Sequence, residues 1–433
     1  MSPLAGAIVG IAAFLVLSFH GLPVAFSFAV VGCMGLICLR GLESGLSILG
    51  HIPFSWGTES ALLPLPLFVL MGQIAFYSDI SRDLYQTAYR WLGRLPGGIA
   101  VATNIAATGF AACCGVSMAG AATMASIAYP EMEKLNYDRR LATGCIVAGG
   151  GLSSLIPPSL GFIIFGFLTE TSIAQLFIAG IFPGLLTSLM FTIGIIVMCK
   201  RNPLLGPSGP SYSWGEKFLS LKGVWAMLVL FLTFMCGLYA GVFTPSEAGS
   251  AGAFGAFVIA LVTRRMKLSG FIMAAKDALR ISCFIMTMII GANVFNVFLG
   301  VTGLTSEFSQ WLTGLEINRF VILSGILAAY IPLGMFLDIG AVILLTIPIV
   351  VPPLVSLGFD VIWLGVLIIF ICEIGFMTPP VGLNAFVVNG VTGVHLAEIF
   401  RGVTPFVFMM LLTLVLLVIF PQISLFLPSI IDR

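Results

Sequence analysis

Two acids, a hydroxyl and an amide are the side chains best placed to do chemistry in this sequence. Asp338 and Glu373 fall inside long apolar stretches, and an ionisable group at hydrocarbon depth marks a functional position by default. Ser117 and Asn384 share such surroundings. Carboxylate, hydroxyl and amide oxygens are hard donors, suited to an alkali cation such as Na+. Around them the backbone is set to break. One apolar segment carries Gly149, Gly150 and Gly151, then Ser153, Pro157 and Pro158; another carries Gly375, Thr378, Pro379, Pro380 and Gly382. Proline removes a donor and glycine adds freedom, so neither run sustains a regular helical ladder. A broken helix leaves carbonyls for cations and N–H groups for anions. Close packing or a plain kink explains one such cluster; two at matched positions favour binding.

Other polar residues read as structural. Asp338 has a second reading, as the cap of a following helix, and Glu373 as the partner of a structural group. Thr244-Pro245-Ser246-Glu247 is a capping box with proline at the first helical position. His20, His51 and His395 are isolated, and the nine cysteines form no C-x-x-C pair, so they read as packing residues. No nucleotide-binding loop, nucleophile elbow or H-E-x-x-H pattern occurs. Neither catalysis nor a cofactor is expected, Na+ entering as a coupling ion.

These residues need a membrane scaffold. Of 433 residues, 59% are hydrophobic and 9% charged, with mean hydropathy +1.13. A soluble domain carries roughly 25% charged residues. The net charge of +1 offers no footprint for nucleic acid. The amino terminus lacks a basic leader and reads as a first span. Apolar runs long enough to cross are 4–19, 22–39, 62–79, 141–168, 176–199, 224–242, 248–263, 283–301, 361–388 and 404–427. Two further stretches, 97–132 and 320–355, would each run roughly 54 Å as one helix. Each is interrupted near its middle, at Cys113-Cys114-Gly115 and at Pro332-Leu333-Gly334. They read as re-entrant hairpins of two half-length helices, with tips at 114–117 and 334–338; a long kinked helix is the alternative. Residues 200–222 form a linker, 264–280 an amphipathic interfacial helix, and 41–61 a semi-polar loop.

One constant offset in residue number relates the two halves. Pro23 pairs with Pro245, Ile127 with Ile349, Pro130 with Pro352, Asp138 with Asp360, Pro157-Pro158 with Pro379-Pro380, and Pro183 with Pro405. The expected fold is therefore an all-α polytopic membrane protein of two repeats, 1–205 and 223–433, joined by a cytoplasmic linker at 206–222. Each repeat holds five spans, one re-entrant hairpin and one broken helix. An odd number of crossings turns the second copy upside down. Charges agree with that inversion. Arg82, Arg90, Arg94, Lys134, Arg139 and Arg140 flank the first hairpin, whereas 301–317 and 355–362 hold no Lys or Arg. Lys200, Arg201, Arg264, Arg265, Lys267 and Arg401 fall on the same, cytoplasmic side; Arg40, Arg319 and Arg433 resist the rule.

The sequence resembles the DctM-like large membrane subunit of tripartite ATP-independent periplasmic (TRAP) transporters over nearly its whole length. The resemblance rests on LPLFVLMGQI (65–74), GRLPGGIA (93–100), AATMASIAYPEM (121–132), ATGCIVAGGGLSSLIPPS (142–159) and LFIAGIFPGLL (176–186). The second half adds GVFTPSEAGSAGAF (241–254), the stretch 334–360 and GFMTPPVGLNAF (375–386). The family implies an Na+-coupled importer of organic acids in the bacterial inner membrane, working by an elevator movement. It implies a periplasmic substrate-binding protein and a small four-helix membrane subunit, here expected as a separate chain. Its motif positions carry over to Ser117, Gly149, Gly150, Gly151, Asp338, Thr378, Gly382 and Asn384, to which Gly115, Ser153, Pro157, Pro158, Gly334, Glu373, Gly375, Pro379 and Pro380 are added as candidate ion and cargo residues. Na+ is assigned to Ser117, Gly150, Asp338, Thr378 and Asn384. The family's first tip usually reads G-S-S, whereas this chain has Gly115-Val116-Ser117. A stand-alone Na+/carboxylate symporter is the alternative. A channel would need repeated polar rings, and a membrane enzyme a nucleophile beside a base; neither is visible. No intramembrane arginine stands out as a carboxylate clamp, so cargo recognition falls to half-helix N-termini.

Overall fold

The computed structural model describes residues 3–431, and among them every regular element is helical. The first half contains α1 (Pro3–Phe19), α2 (Val24–Arg40), α3 (Leu42–Gly57), α4 (Pro64–Tyr77) and α5 (Ile80–Leu92). Next come the pair α6 (Gly98–Cys114) and α7 (Ser117–Lys134), the broken pair α8 (Arg139–Gly151) and α9 (Leu160–Leu168), and α10 (Ile173–Arg201). A short α11 (Trp214–Ser220) leads to α12 (Trp225–Tyr239), α13 (Pro245–Val262), α14 (Leu268–Thr302) and α15 (Leu304–Thr313). The second half closes with α16 (Arg319–Phe336), α17 (Ile339–Ser356), α18 (Val361–Met377), α19 (Leu383–Thr392), α20 (Leu396–Ile419) and α21 (Gln422–Ile431). Seven described helices, or eight with the bent stretch 214–239, are long and apolar enough to cross a membrane. Phe254, Val262 and Phe408 are among many large apolar side chains left exposed, a surface that lipid covers.

Local chemistry sets the boundaries. Asp138 caps α8 by accepting from the Arg140 and Leu141 N–H groups, and Asp360 caps α18 by accepting from Trp363. Thr244 and Glu247 form the expected capping box, with Pro245 opening α13. Asn136 and Gly358, equivalent positions of the two halves, both take positive φ in the turn before a broken helix, a conformation that glycine and asparagine tolerate best. α7 and α17 start and end at equivalent positions, and α8 and α18 start at equivalent ones. The packing is reciprocal as well. α2 lies on α14 as α13 lies on α4, and α7 meets α19 as α17 meets α9.

The core is built on the two broken helices. Every residue of 141–151 in α8 and of 363–377 in α18 is buried, as befits helices that are apolar all round. Glycine brings them against their neighbours. A Cβ on Gly144 would meet the Gly402 backbone of α20, and one on Gly402 would meet the Arg140 carbonyl, the close approach that small residues permit in membranes.

Several expected elements differ. The stretch 41–61 is helical over 42–57, with only Gly45 and Ile52 buried; it lies along α2, and that support overrides its mixed sequence. The interfacial helix at 264–280 and the span at 283–301 are one 35-residue helix, because no proline interrupts it. The span expected at 404–427 stops at Ile419 ahead of Pro421. Pro332 and Gly334 sit inside α16, and the second hairpin breaks at Leu337-Asp338, where the Asp338 carboxylate accepts from the Ala341 N–H and starts α17. The glycines 149–151 stay helical, so the first break begins at Leu152. The hairpin arms hold 17 or 18 residues, about 26 Å each, so they are nearly of full-span length. The linker is pinned: Gly97 and Asp138 donate to the Gly206 and Leu205 carbonyls, and Thr87 and Trp91 to those of Ser220 and Lys217. All nine cysteines are free, six of them buried. Arg433 lies outside the described residues.

The glycine contacts generate a test. Gly402→Ala forces α20 off α8 and should cost about 1–3 kcal/mol, read as a lower thermal midpoint of the purified protein. Gly325 faces open space inside α16, and Gly325→Ala should be neutral or raise that midpoint.

Candidate functional site

The end of the first hairpin's break meets the second broken helix at a single carboxylate. Ser117 opens α7, and its hydroxyl donates to Oε1 of Glu373 in α18 at 2.6 Å. The Asn384 amide, from the first turn of α19, donates to the same Oε1 at 3.0 Å and to the Ser117 hydroxyl at 2.6 Å. Glu373 and Asn384 are fully buried and Ser117 nearly so. Gly151 makes room for them: a Cβ there would stand 2.8 Å from Glu373 Oε1. Gly151 and Glu373 are themselves equivalent positions of the two halves, so the carboxylate of one half fills space that its counterpart leaves empty.

Three oxygens in this region are buried without a partner: Glu373 Oε2, Asn384 Oδ1 and Ser153 Oγ. A buried oxygen left unpaired costs about 1–3 kcal/mol, more when charged, and protein interiors hold few of them. All three are acceptors with hard oxygen chemistry, which fits a cation. No group of three or more His, Cys, Asp or Glu side chains able to hold a metal occurs among the described residues. The donor set therefore suits a weakly held alkali ion better than a transition metal.

The tips are built from backbone. Gly115 has φ +66°, and a Cβ on it would run into the Pro158 carbonyl; its own carbonyl accepts from the Leu160 N–H. Gly334 and Gly375 face each other, each Cβ position crowding the other's backbone. A central cavity of about 110 Å³ separates the two tips. Ser117, Ser154 and Asp338 supply its polar wall, while Phe284, Met288 and Phe376 supply apolar wall. The N-terminal ends of α7, α9 and α17 all border it, a convergence of positive helix ends that attracts an anion.

The other expected site residues are placed as follows. Asp338 caps α17 and faces the central cavity from the side opposite Ser117's hairpin. Thr378 donates its hydroxyl to the Ile374 carbonyl at the end of α18. Gly149 packs on Ala107, Gly150 on Ala121, and Gly382 under Phe400 with φ +59°. Both Pro157-Pro158 and Pro379-Pro380 peptides are cis; the first pair is buried and the second exposed. Ser153 lies over Gly120. The α14 wall of the cavity, with Ile281, Phe284, Ile285 and Met288, carries no sequence signal beyond apolarity. Ser154 sat within a quoted motif but gave no separate signal.

Ser117→Ala should leave Glu373 Oε1 with Asn384 as its one side-chain donor. The expected loss is about 1–3 kcal/mol, read as a lower thermal midpoint. Ser117→Thr, which keeps the hydroxyl, should recover most of it.

Comparison with known proteins follows the same lines. A family described as "Tripartite ATP-independent periplasmic transporter, DctM component" matches residues 11–423. The chain is 33% identical over 401 residues to the C4-dicarboxylate TRAP transporter large permease protein DctM of Pseudomonas aeruginosa, covering 90% of this chain and 93% of that one. It is 30% identical over 404 residues to the 2,3-diketo-L-gulonate TRAP transporter large permease protein YiaN of Escherichia coli, covering 93% and 94%. In fold it is similar to the crystal structure of the Alcanivorax borkumensis YdaH transporter, with TM-score 0.65 at 14% identity, covering 96% of this chain and 98% of that one. The chain belongs to the DctM-component family of tripartite ATP-independent periplasmic transporters, multi-pass proteins of the inner membrane.

Proposed function

We propose that this chain carries a small organic acid into the cell, driven by Na+, as the large membrane subunit of a three-part importer. The observation that carries the reading is the pair of unpartnered buried oxygens on two hydrogen-bonded side chains, Glu373 Oε2 and Asn384 Oδ1, beside Ser117, which lines a cavity bordered by three helix N-termini. A carboxylate alone in low dielectric is costly. A cation bound at the oxygens offsets the Glu373 charge and lets an anion enter the cavity beside it. The relatives named for C4-dicarboxylate and 2,3-diketo-L-gulonate support an acid as cargo. The family's tripartite description supports a periplasmic binding protein that delivers it and a small four-helix membrane subunit beside this chain. On this reading the two halves are inverted repeats. Hairpins and broken helices move together as an elevator against the remaining scaffold, with cation binding holding the tip of α7 against α18 and α19.

Two measurements test it. In proteoliposomes holding the complete transporter, Asn384→Ala and Asp338→Ala should abolish Na+-driven uptake of labelled acid while the protein still folds. Normal uptake in both would reject the site. Uptake with no binding protein present would favour the stand-alone symporter.

Sidedness tests the inversion. Lys134 and Ser356 are exposed and occupy equivalent positions in the two halves. In a background with Cys38, Cys236 and Cys283 replaced by serine, Lys134→Cys and Ser356→Cys should react with an impermeant maleimide from opposite faces of the membrane. Labelling of both from one face would overturn the inverted arrangement.

A further inference from the structure

Three cavities lie in succession from the end of the first hairpin remote from its tip to the space between the two tips. The first, about 800 Å³, is lined by Arg82, Arg90 and Lys134 together with Tyr85, Tyr89 and Glu131. The second, about 270 Å³, shares Phe76 with the first and reaches Cys114 at the hairpin break. The third is the central cavity, which shares Ile281 with the second. A solute moving along this line passes one cation in the middle cavity, Arg280.

Arg280 is loosely held. Its Nη1 stands 3.4 Å from Asp277 Oδ1, longer than an ordinary hydrogen bond, and its side chain is 80% exposed. Asp277 is held more firmly from elsewhere, since the Tyr77 hydroxyl donates to its Oδ2 at 2.6 Å. A guanidinium carries five N–H donors, and among the described residues this one uses a single long contact. A fork of free N–H groups is the geometry that takes a planar carboxylate in two parallel hydrogen bonds. Arg280 is also next in sequence to Ile281, the first of the α14 residues that wall the central cavity.

We propose that Arg280 is a carboxylate-docking site between the first cavity and the central one, with Tyr77 and Asp277 as positioning residues that set its strength. Asp277 competes with the visiting carboxylate for the guanidinium, so docking stays weak enough to release. Tyr77 draws Asp277 away and keeps the fork open. The idea rests on the reading of the cargo as an organic acid. A lipid headgroup is a second source of oxyanion for an arginine on a membrane helix. Phe110, Cys114 and Thr123 line the same cavity as Arg280, which gives a soluble acid a space beside the guanidinium.

The test uses the full chain in phosphatidylcholine liposomes and follows phenylglyoxal modification of Arg280 by peptide mass spectrometry. Succinate or pyruvate should slow that modification, and sodium chloride of equal ionic strength should not. Asp277→Asn should lower the protecting concentration by up to about fivefold, the range of a solvent-reached ion pair. Tyr77→Phe, which returns Asp277 to Arg280, should raise it. A merely structural ion pair would move both variants the same way. Absence of protection by either acid overturns the proposal. So does protection that appears with phosphatidylglycerol in the liposomes and no acid added. If the complete transporter takes up no acid while Arg280 is still protected, the transport reading fails and the docking site stands.

Discussion

Hydrocarbon contains no water to complete a backbone group that loses its helical partner, and this chain interrupts its helices inside apolar sequence four times. Each interruption has to be met by protein. The Gly115 carbonyl is met by the Leu160 N–H, and the Ser154 carbonyl by the Ser159 hydroxyl. Gly334 and Gly375 lie backbone to backbone. This requirement explains why α8 and α18, the helices that break, are also the most deeply buried. It also explains the use of glycine at 144, 151 and 402, where a side chain would hold the supporting helices apart.

The Glu373 carboxylate turns that packing into a device. Its Oε1 is shared between a hairpin of the first half, through Ser117, and a broken helix of the second, through Asn384. Its Oε2 has no partner. One oxygen therefore ties the halves together and the other stays available to a cation. On the proposed reading, a cation on the open side changes the charge that Ser117 and Asn384 solvate, which would link hairpin position to ion binding.

Much of this was readable from residue order. Asp138, Asp360 and the Thr244 box end or start helices through local hydrogen bonds that depend on neighbours two or three residues away. The first hairpin break at Gly115 was legible because only glycine enters the left-handed region without cost. The second break falls at Leu337-Asp338, inside the tip expected at 334–338, while the interruption expected at Pro332 to Gly334 stays helical, because a proline in a membrane helix can be absorbed by its surroundings. The helix at 42–57 and the unbroken α14 were missed for a related reason: neighbouring helices support them, and no local pattern marks that support.

The sequence by itself determined the membrane character, the doubling at a constant offset, and which hard-oxygen side chains fall in apolar sequence, since hydropathy, proline and glycine act locally. Only the tertiary structure decided which of those residues meet. Ser117 is 256 residues from Glu373, and Tyr77 is 200 from Asp277. Thr378, assigned with Asn384 to Na+, donates its hydroxyl to the Ile374 carbonyl of its own helix. Such pairings arise from how the two halves pack against each other, and packing across that distance leaves no signature in either segment alone.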